Sequence, residues 1–282
     1  MYKVGVNFDE ISDDIHIALA VMKKQGVTYG ELRTIEAKNF VFWTDDEVQY
    51  YKTIITMAGI ELVAAATPLF KWYRTADSPE VRHDNFGFDP RLREEEKRAV
   101  IARTIEIATA MKIPRLRIFS GLGSSDKAGP VFASDPLLHY ALELASKYEI
   151  DLYLENEPVC IIHNKQDVVD FFNQVTSQHM KYWLDVANLI ELNEMVDDAF
   201  LSQVIARVGY VHVKDFINTT KGRKYVPVGQ GEINYRQILA DIRRSCPHEL
   251  IITIETHAKI NKIEHSIASI KGVRLLLKDG EV

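Results

Sequence analysis

The sequence predicts an α/β fold, a (β/α)8 or TIM barrel, spanning residues 1–282 as one domain. Three observations carry this. Short apolar strands alternate with helical stretches from end to end, the pattern of a parallel sheet with crossover helices. Eight of each can be placed, which favours a closed barrel over a doubly wound sheet. The last four strands carry charged or polar groups at their C-terminal ends, where such barrels keep their sites.

The elements follow in order. The N-terminus, MYKVGVNF, reads as a first strand, Lys3 to Phe8, and not as a signal peptide. The first helix, Asp13 to Gln25, presents Ile15, Leu19 and Met22 on one face and stops at Gly26. The second strand, Tyr29 to Ile35, puts Glu31 and Arg33 on one face, either as an internal ion pair or as substrate contacts. Thr44 and Asp45 open the second helix, which runs to about Ala58. The third strand is Glu61 to Thr67.

The connection that follows, Pro68 to Pro90, is long for an α/β unit and holds Phe70, Trp72, Tyr73, His83, Phe86 and Phe88. Such a connection suits a lid or binding loop, with Phe70 and Trp72 as substrate contacts. The alternative is a cover over the barrel or a neighbouring subunit. The third helix is Arg91 to Met111, and the fourth strand, Arg115 to Phe119, has Arg115 and Arg117 on one face. Arg117 is a candidate substrate contact. Ser120 to Ser125, SGLGSS, matches no phosphate-binding fingerprint and reads as a turn.

The fourth helix is Pro136 to Tyr148, the fifth strand Asp151 to Glu155, the fifth helix Lys165 to Ser177 and the sixth strand Lys181 to Asp185. A sixth helix ends near Val208, before the seventh strand, Gly209 to Asp215. Phe216 to Gln230 reads as a charged connection in which Lys221, Arg223 and Lys224 either meet an acidic substrate or are simply solvated; Arg223 is a candidate contact. Tyr235 to Ser245, Leu250 to Glu255 and Asn261 to Leu277 complete the alternation.

The chain is organised around its seventh strand, GYVHVKD. Alternation places Tyr210, His212 and Lys214 on one face. Buried polar groups need partners. Glu155, Asp185 and Glu255 stand at the ends of three other strands and supply them. Three acids crowded together need a cation. Carboxylates with one imidazole suit Mn²⁺, Mg²⁺, Co²⁺ or Zn²⁺. The candidate metal ligands are therefore Glu155, Asp185, His212 and Glu255. A structural zinc site is not indicated, since no thiolate joins the set.

Composition bounds the rest. Hydrophobic residues make up 46% of the chain and charged residues 26%, enough apolar content for a full core. A net charge of -6 argues against nucleic acid as a partner, and no apolar run is long enough to span a membrane. Cys160 and Cys246 fit no metal or redox motif, so the expectation is a reducing cytoplasm. A homo-oligomer is left open.

The ordered motifs LENEP, WLDVAN, VHVKD, VGQGEINY and TIETH resemble the xylose isomerase-like barrels, which include sugar and sugar-phosphate isomerases and epimerases. The resemblance covers essentially the whole chain. In the ketose 3-epimerase branch, metal ligands fall at positions matching Glu155, Asp185, His212 and Glu255, and the two glutamates double as acid and base. That branch often has a His three residues after the Asp ligand. This chain has Asn188 there, carried here as a substrate contact. Lys214 is similar to a lysine of inosose dehydratase-like members, so a dehydratase stays open. Apurinic endonucleases share the barrel but use several more His ligands.

The resemblance and the charges together imply proton abstraction next to a carbonyl. A divalent ion would stabilise the enediolate. Glu155 and Glu255 would exchange the proton, with Lys214 sharing that role or holding substrate oxygens. The expected partner is a small sugar or sugar phosphate.

Overall fold

The computed structural model describes residues 2–75, 80, 87 and 89–279. Eight parallel strands close into a barrel: β1 (Tyr2–Asn7), β2 (Tyr29–Leu32), β3 (Glu61–Ala65), β4 (Arg115–Ile118), β5 (Asp151–Glu155), β6 (Met180–Asp185), β7 (Val208–Val213) and β8 (Leu250–Ile254). Neighbours in the ring are neighbours in the chain. The ring closes where Tyr2 lies opposite Leu250 and Val6 opposite Ile254. Outside it run α1 (Ile15–Gln25), α2 (Asp45–Met57), α3 (Glu94–Met111), α4 (Pro136–Lys147), α5 (Lys165–Gln174), α6 (Asp198–Val204), α7 (Tyr235–Ser245) and α8 (Lys262–Asp279). Among the described residues no helix is long and apolar enough to cross a membrane.

Local chemistry sets the helix ends. Asp14, Thr44, Asp135, Asn164 and Asn234 each accept backbone N–H groups at a helix start, and such caps contribute about 1 kcal/mol each. Gly26 ends α1 at φ 62°, a left-handed conformation that glycine adopts without strain.

The sequence reading departs from the structure at the strand ends. The second strand stops at Leu32, and Thr34–Ile35 and Lys38–Asn39 form a separate hairpin. Glu31 and Arg33 make no pair: Glu31 points into the barrel, whereas Arg33 lies beyond the strand and binds other acids. The sixth helix is split into two short pieces, Val186–Glu191 and α6. The connection after β7 is an antiparallel hairpin, Asp215–Thr219 with Gly222–Val226. Of the long connection after β3, His83, Phe86 and Phe88 lie outside the described residues.

Two apolar layers result. One lies between the strands and the outer helices. The other fills the barrel with Val63, Tyr153, Trp183, Tyr210 and Ile251. Trp183 and Tyr210 pack with ring centroids 3.7 Å apart, and Trp183 meets the His212 ring edge-on at 4.8 Å. Gly209 makes room for this layer, since a Cβ there would sit 2.7 Å from Tyr153 Oη. The aromatic layer is the floor on which the polar groups above it rest.

Candidate active site

The C-terminal ends of β5 to β8 converge on one mouth. Alternation brings Glu155, Asp185 and His212 inward, and register places Asp185 directly opposite His212. Glu255 follows β8 immediately. All four are buried, and one ligand atom from each lies within 4.8 Å of the others. His212 Nδ1 is 3.2 Å from Glu155 Oε1, 3.5 Å from Glu255 Oε2 and 3.9 Å from Asp185 Oδ2.

Backbone and amide groups fix these side chains. Asp185 Oδ1 accepts the Asn188 N–H at 2.8 Å, at the start of the Val186–Glu191 helix. Asn156 accepts from the Tyr182 hydroxyl and the Asp185 N–H, and donates to the Asp185 carbonyl at 2.9 Å. On the other side of the ring, His212 Nε2 meets Glu31 Oε2 at 2.8 Å, and Glu31 also accepts from Tyr210 Oη at 2.9 Å and Asn7 Nδ2 at 3.0 Å.

The charges are crowded. Five carboxylates, Asp9, Glu10, Glu155, Asp185 and Glu255, share the permanent cations Arg33, Arg117 and Lys214, while Glu31 is held by His212. Burial and the neighbouring Glu155 and Glu255 push the Asp185 carboxyl up to about 6, against the pull of Lys214. Burial also opposes the charge on Glu255, but Lys214, His257 and His212 outweigh it and hold its pKa well below the ordinary range. The His212 imidazole is driven well above its ordinary value: burial opposes its charge, and Glu31 and Glu255 overcome that.

A divalent ion fits this arrangement. His212 Nδ1 is buried and makes no hydrogen bond among the described residues, although three carboxylate oxygens lie within 3.9 Å of it. Its other nitrogen is already held, as in metal-binding histidines braced from behind by a carboxylate. The cluster Glu155, Asp185, His212 and Glu255 could therefore hold a metal ion.

The cavity above it has a volume of about 960 Å³. Arg117, Asn188 and Lys214 line it, as do Glu155 and Glu255. Lys214 Nζ bridges Asp185 at 2.7 Å and Glu255 at 3.1 Å. Arg117 holds Glu155 at 3.0 Å. Asn188 donates to the Asn156 carbonyl at 2.9 Å.

Phe70 and Trp72 do not line this cavity. They are buried against each other, with Phe70 packed edge-on to Phe132 at 5.3 Å. Lys71 between them faces the opposite way, so that it lines the cavity, lies over the Phe119 ring and pairs with Glu157 at 3.1 Å. Arg223 also stands off the cavity: it braces its hairpin on Glu191, and Tyr225 of the same hairpin lines the wall instead. The SGLGSS turn directs the N–H groups of Gly121 and Gly123 to the Phe70 and Val159 carbonyls.

Several groups escaped the sequence reading: Asp9, Glu10, Lys71, Tyr225 and His257 all line the cavity, as does Arg33, which the sequence offered as an ion pair or a substrate contact. Asp9 and Glu10 carried the same signal as the later acids, charges just beyond a strand's C-terminal end. His257 carried it too, two residues after Glu255.

The barrel is similar to solved structures along nearly its whole length. One is the probable 3-DHS dehydratase AsbF involved in petrobactin synthesis from Bacillus anthracis, at 14% identity, TM-score 0.74 and coverage of 96% of this chain and 98% of that one. Another is the IOLI protein with a binding zinc atom, at 15% identity, TM-score 0.73 and 98% coverage of both chains. A third is L-ribulose 3-epimerase, at 13% identity, TM-score 0.73 and coverage of 99% and 96%. At such identities the likeness shows the fold alone. No curated protein matches the sequence. The family model of the xylose isomerase-like TIM barrel, however, matches residues 19–273, and the chain belongs to that family.

Proposed function

We propose that this barrel is a divalent-metal-dependent isomerase or epimerase of a sugar or sugar phosphate, working by proton abstraction next to a carbonyl. The observation that carries the reading is the pair Glu155 and Glu255, whose oxygens both approach His212 Nδ1, at 3.2 and 3.5 Å. Glu155, Asp185, His212 and Glu255 would hold the ion, and Mn²⁺, Mg²⁺, Co²⁺ and Zn²⁺ all suit such donors. When bound, it stabilises negative charge developing on the substrate's oxygens.

The chain's own groups do the rest. One glutamate takes the proton from carbon and the other returns it. Return to the opposite face gives an epimer; return to the neighbouring carbon, with a proton passing between the two oxygens, gives an isomer. Arg117, Asn188 and Lys214 line the same cavity and orient the hydroxyls. The two cysteines form no disulfide, which fits a cytoplasmic setting. Similar folds such as L-ribulose 3-epimerase and a 3-keto-D-glucoside 4-epimerase support a small sugar as the partner.

One observation favours a second reading. Lys214 Nζ sits between Asp185 and Glu255, placed to give a proton to a leaving hydroxyl. That would suit a dehydratase of an inosose or another keto-polyol on the same site.

The test is incubation of Mn²⁺-loaded protein with ketoses and their phosphates in D2O, followed by NMR. Isomerase or epimerase chemistry places deuterium beside the carbonyl. Glu155→Gln and Glu255→Gln should each slow it by ~10²–10⁴-fold. A product lighter by one water would establish the dehydratase. Wash-in that survives both substitutions, with metal still bound, would remove the glutamates from the mechanism.

A further inference from the structure

Glu255 has two oxygens, and the structure sorts them. Oε2 faces Lys214 Nζ at 3.1 Å, His257 Nε2 at 3.1 Å and His212 Nδ1 at 3.5 Å. Oε1 is held by Arg33 Nη1 at 2.8 Å, with Arg117 Nη1 farther off at 3.9 Å. Arg33 is itself pinned. Its Nε donates to Asp9 Oδ2 at 3.0 Å and its Nη2 to Glu10 Oε1 at 2.6 Å. All five donor positions of a guanidinium lie in one rigid plane, so three acids on one side of the barrel mouth lock its orientation.

Glu10 extends the lock to the backbone. Its second oxygen accepts the Thr256 N–H at 3.0 Å, the Thr256 hydroxyl at 2.6 Å and the His257 N–H at 2.9 Å. His257 sits there at φ 53°, left-handed and uncommon for a residue with a side chain. One half-buried arginine thus ties together the segments after three adjacent strands, β2, β1 and β8. The segment held most firmly is the one that carries Glu255.

We propose that Arg33 is the positioning residue for Glu255. With Asp9 and Glu10 it fixes Oε1, so that Oε2 alone is presented to the metal site. Arg33 touches neither the ion nor the reacting atoms in this role. The inference rests on the reading of Glu155, Asp185, His212 and Glu255 as that site.

Charge and position make opposite demands, which makes the idea testable. Arg33 is a cation close to a cation site. If it acted only through its charge, removing it would tighten metal binding. If it acts by position, removing it frees Glu255 and weakens binding. The experiment is titration of the metal-free full chain with Mn²⁺ alone, by calorimetry and by electron paramagnetic resonance, with thermal melting alongside. Arg33→Met should bind Mn²⁺ about 10–100-fold more weakly, the usual effect of losing an outer-shell partner. Arg33→Lys keeps the charge, but one ammonium cannot span Asp9, Glu10 and Glu255 together, so it should also bind more weakly and give a broadened Mn²⁺ spectrum. Arg33→Lys carries the test if Arg33→Met fails to fold. Unchanged or tighter Mn²⁺ binding in the folded variants would overturn the proposal while leaving the metal site standing. Wild-type protein that takes up no Mn²⁺ would overturn the metal reading, and this inference with it.

Discussion

His212 Nε2 and Glu31 Oε2 are 2.8 Å apart at the centre of the barrel, and neither side chain touches solvent. A carboxylate that also accepts from Tyr210 and Asn7 can only accept, so the imidazole must donate through Nε2. Nδ1 is left as the nitrogen that turns toward Glu155, Asp185 and Glu255.

Glu31→Gln should therefore weaken Mn²⁺ binding by about 10–100-fold, because the amide can offer Nε2 the wrong group. Calorimetric titration measures it. Binding equal to wild type would mean that Glu31 only fills space.

Asp185→Ala should abolish metal uptake, since the remaining acids then repel one another without the full donor set. Elemental analysis before and after chelation and Mn²⁺ reloading is the measurement. In the wild type, reloading should raise the melting temperature, as any ligand of the folded state does. A variant that still returns one ion per chain would show that the ion sits elsewhere.

Trp72→Ala should damage the fold before it damages the chemistry. Its ring is buried beside Phe70, and large-to-small changes at such sites cost about 3–5 kcal/mol. Denaturant unfolding reads this directly. A variant with unchanged stability and lost turnover would restore Trp72 as a substrate contact.

Cys160 should resist thiol reagents in the native protein. It is fully buried, and burial followed by the nearby Glu157 raises its thiol pKa far above the ordinary range. Cys246 is partly exposed and should react first. Mass spectrometry after brief alkylation would show a single modified site, Cys246, with Cys160 labelled only in denaturant. Equal labelling of both would mean that the β5 end opens readily.

The order of elements and the four converging residues were legible because both obey short-range rules. A period of two turns Glu155, Asp185 and His212 inward, and a strand's C-terminal end lies at the barrel mouth whatever follows. The errors sit where a residue's direction depends on distant partners. Phe70 and Trp72 follow a strand like site residues, yet Phe132 and the core claim them, and Lys71 turns inward instead. Arg33 looked like a partner for Glu31 because the strand was drawn three residues too long, to Ile35 instead of Leu32. Asp215 of VHVKD shows the opposite case. Its carboxylate accepts N–H groups from Phe216, Gly229, Gly231 and Ile233, so VHVKD and VGQGEINY travel together for a structural reason.

The Glu31 brace also bears on how the barrel is assembled. Glu155, Asp185, His212 and Glu255 all come from the second half of the chain, but the groups that brace His212 and Glu255 from behind come from the first. Glu31 and His212 are 181 positions apart, and Arg33 and Glu255 are 222 apart. Contacts so remote close late in folding. A half-barrel beginning near Pro136 would contain Glu155, Asp185, His212 and Glu255 yet lack Asn7, Glu31 and Arg33. During synthesis the oldest strands must wait for the youngest before the pocket has walls on both sides.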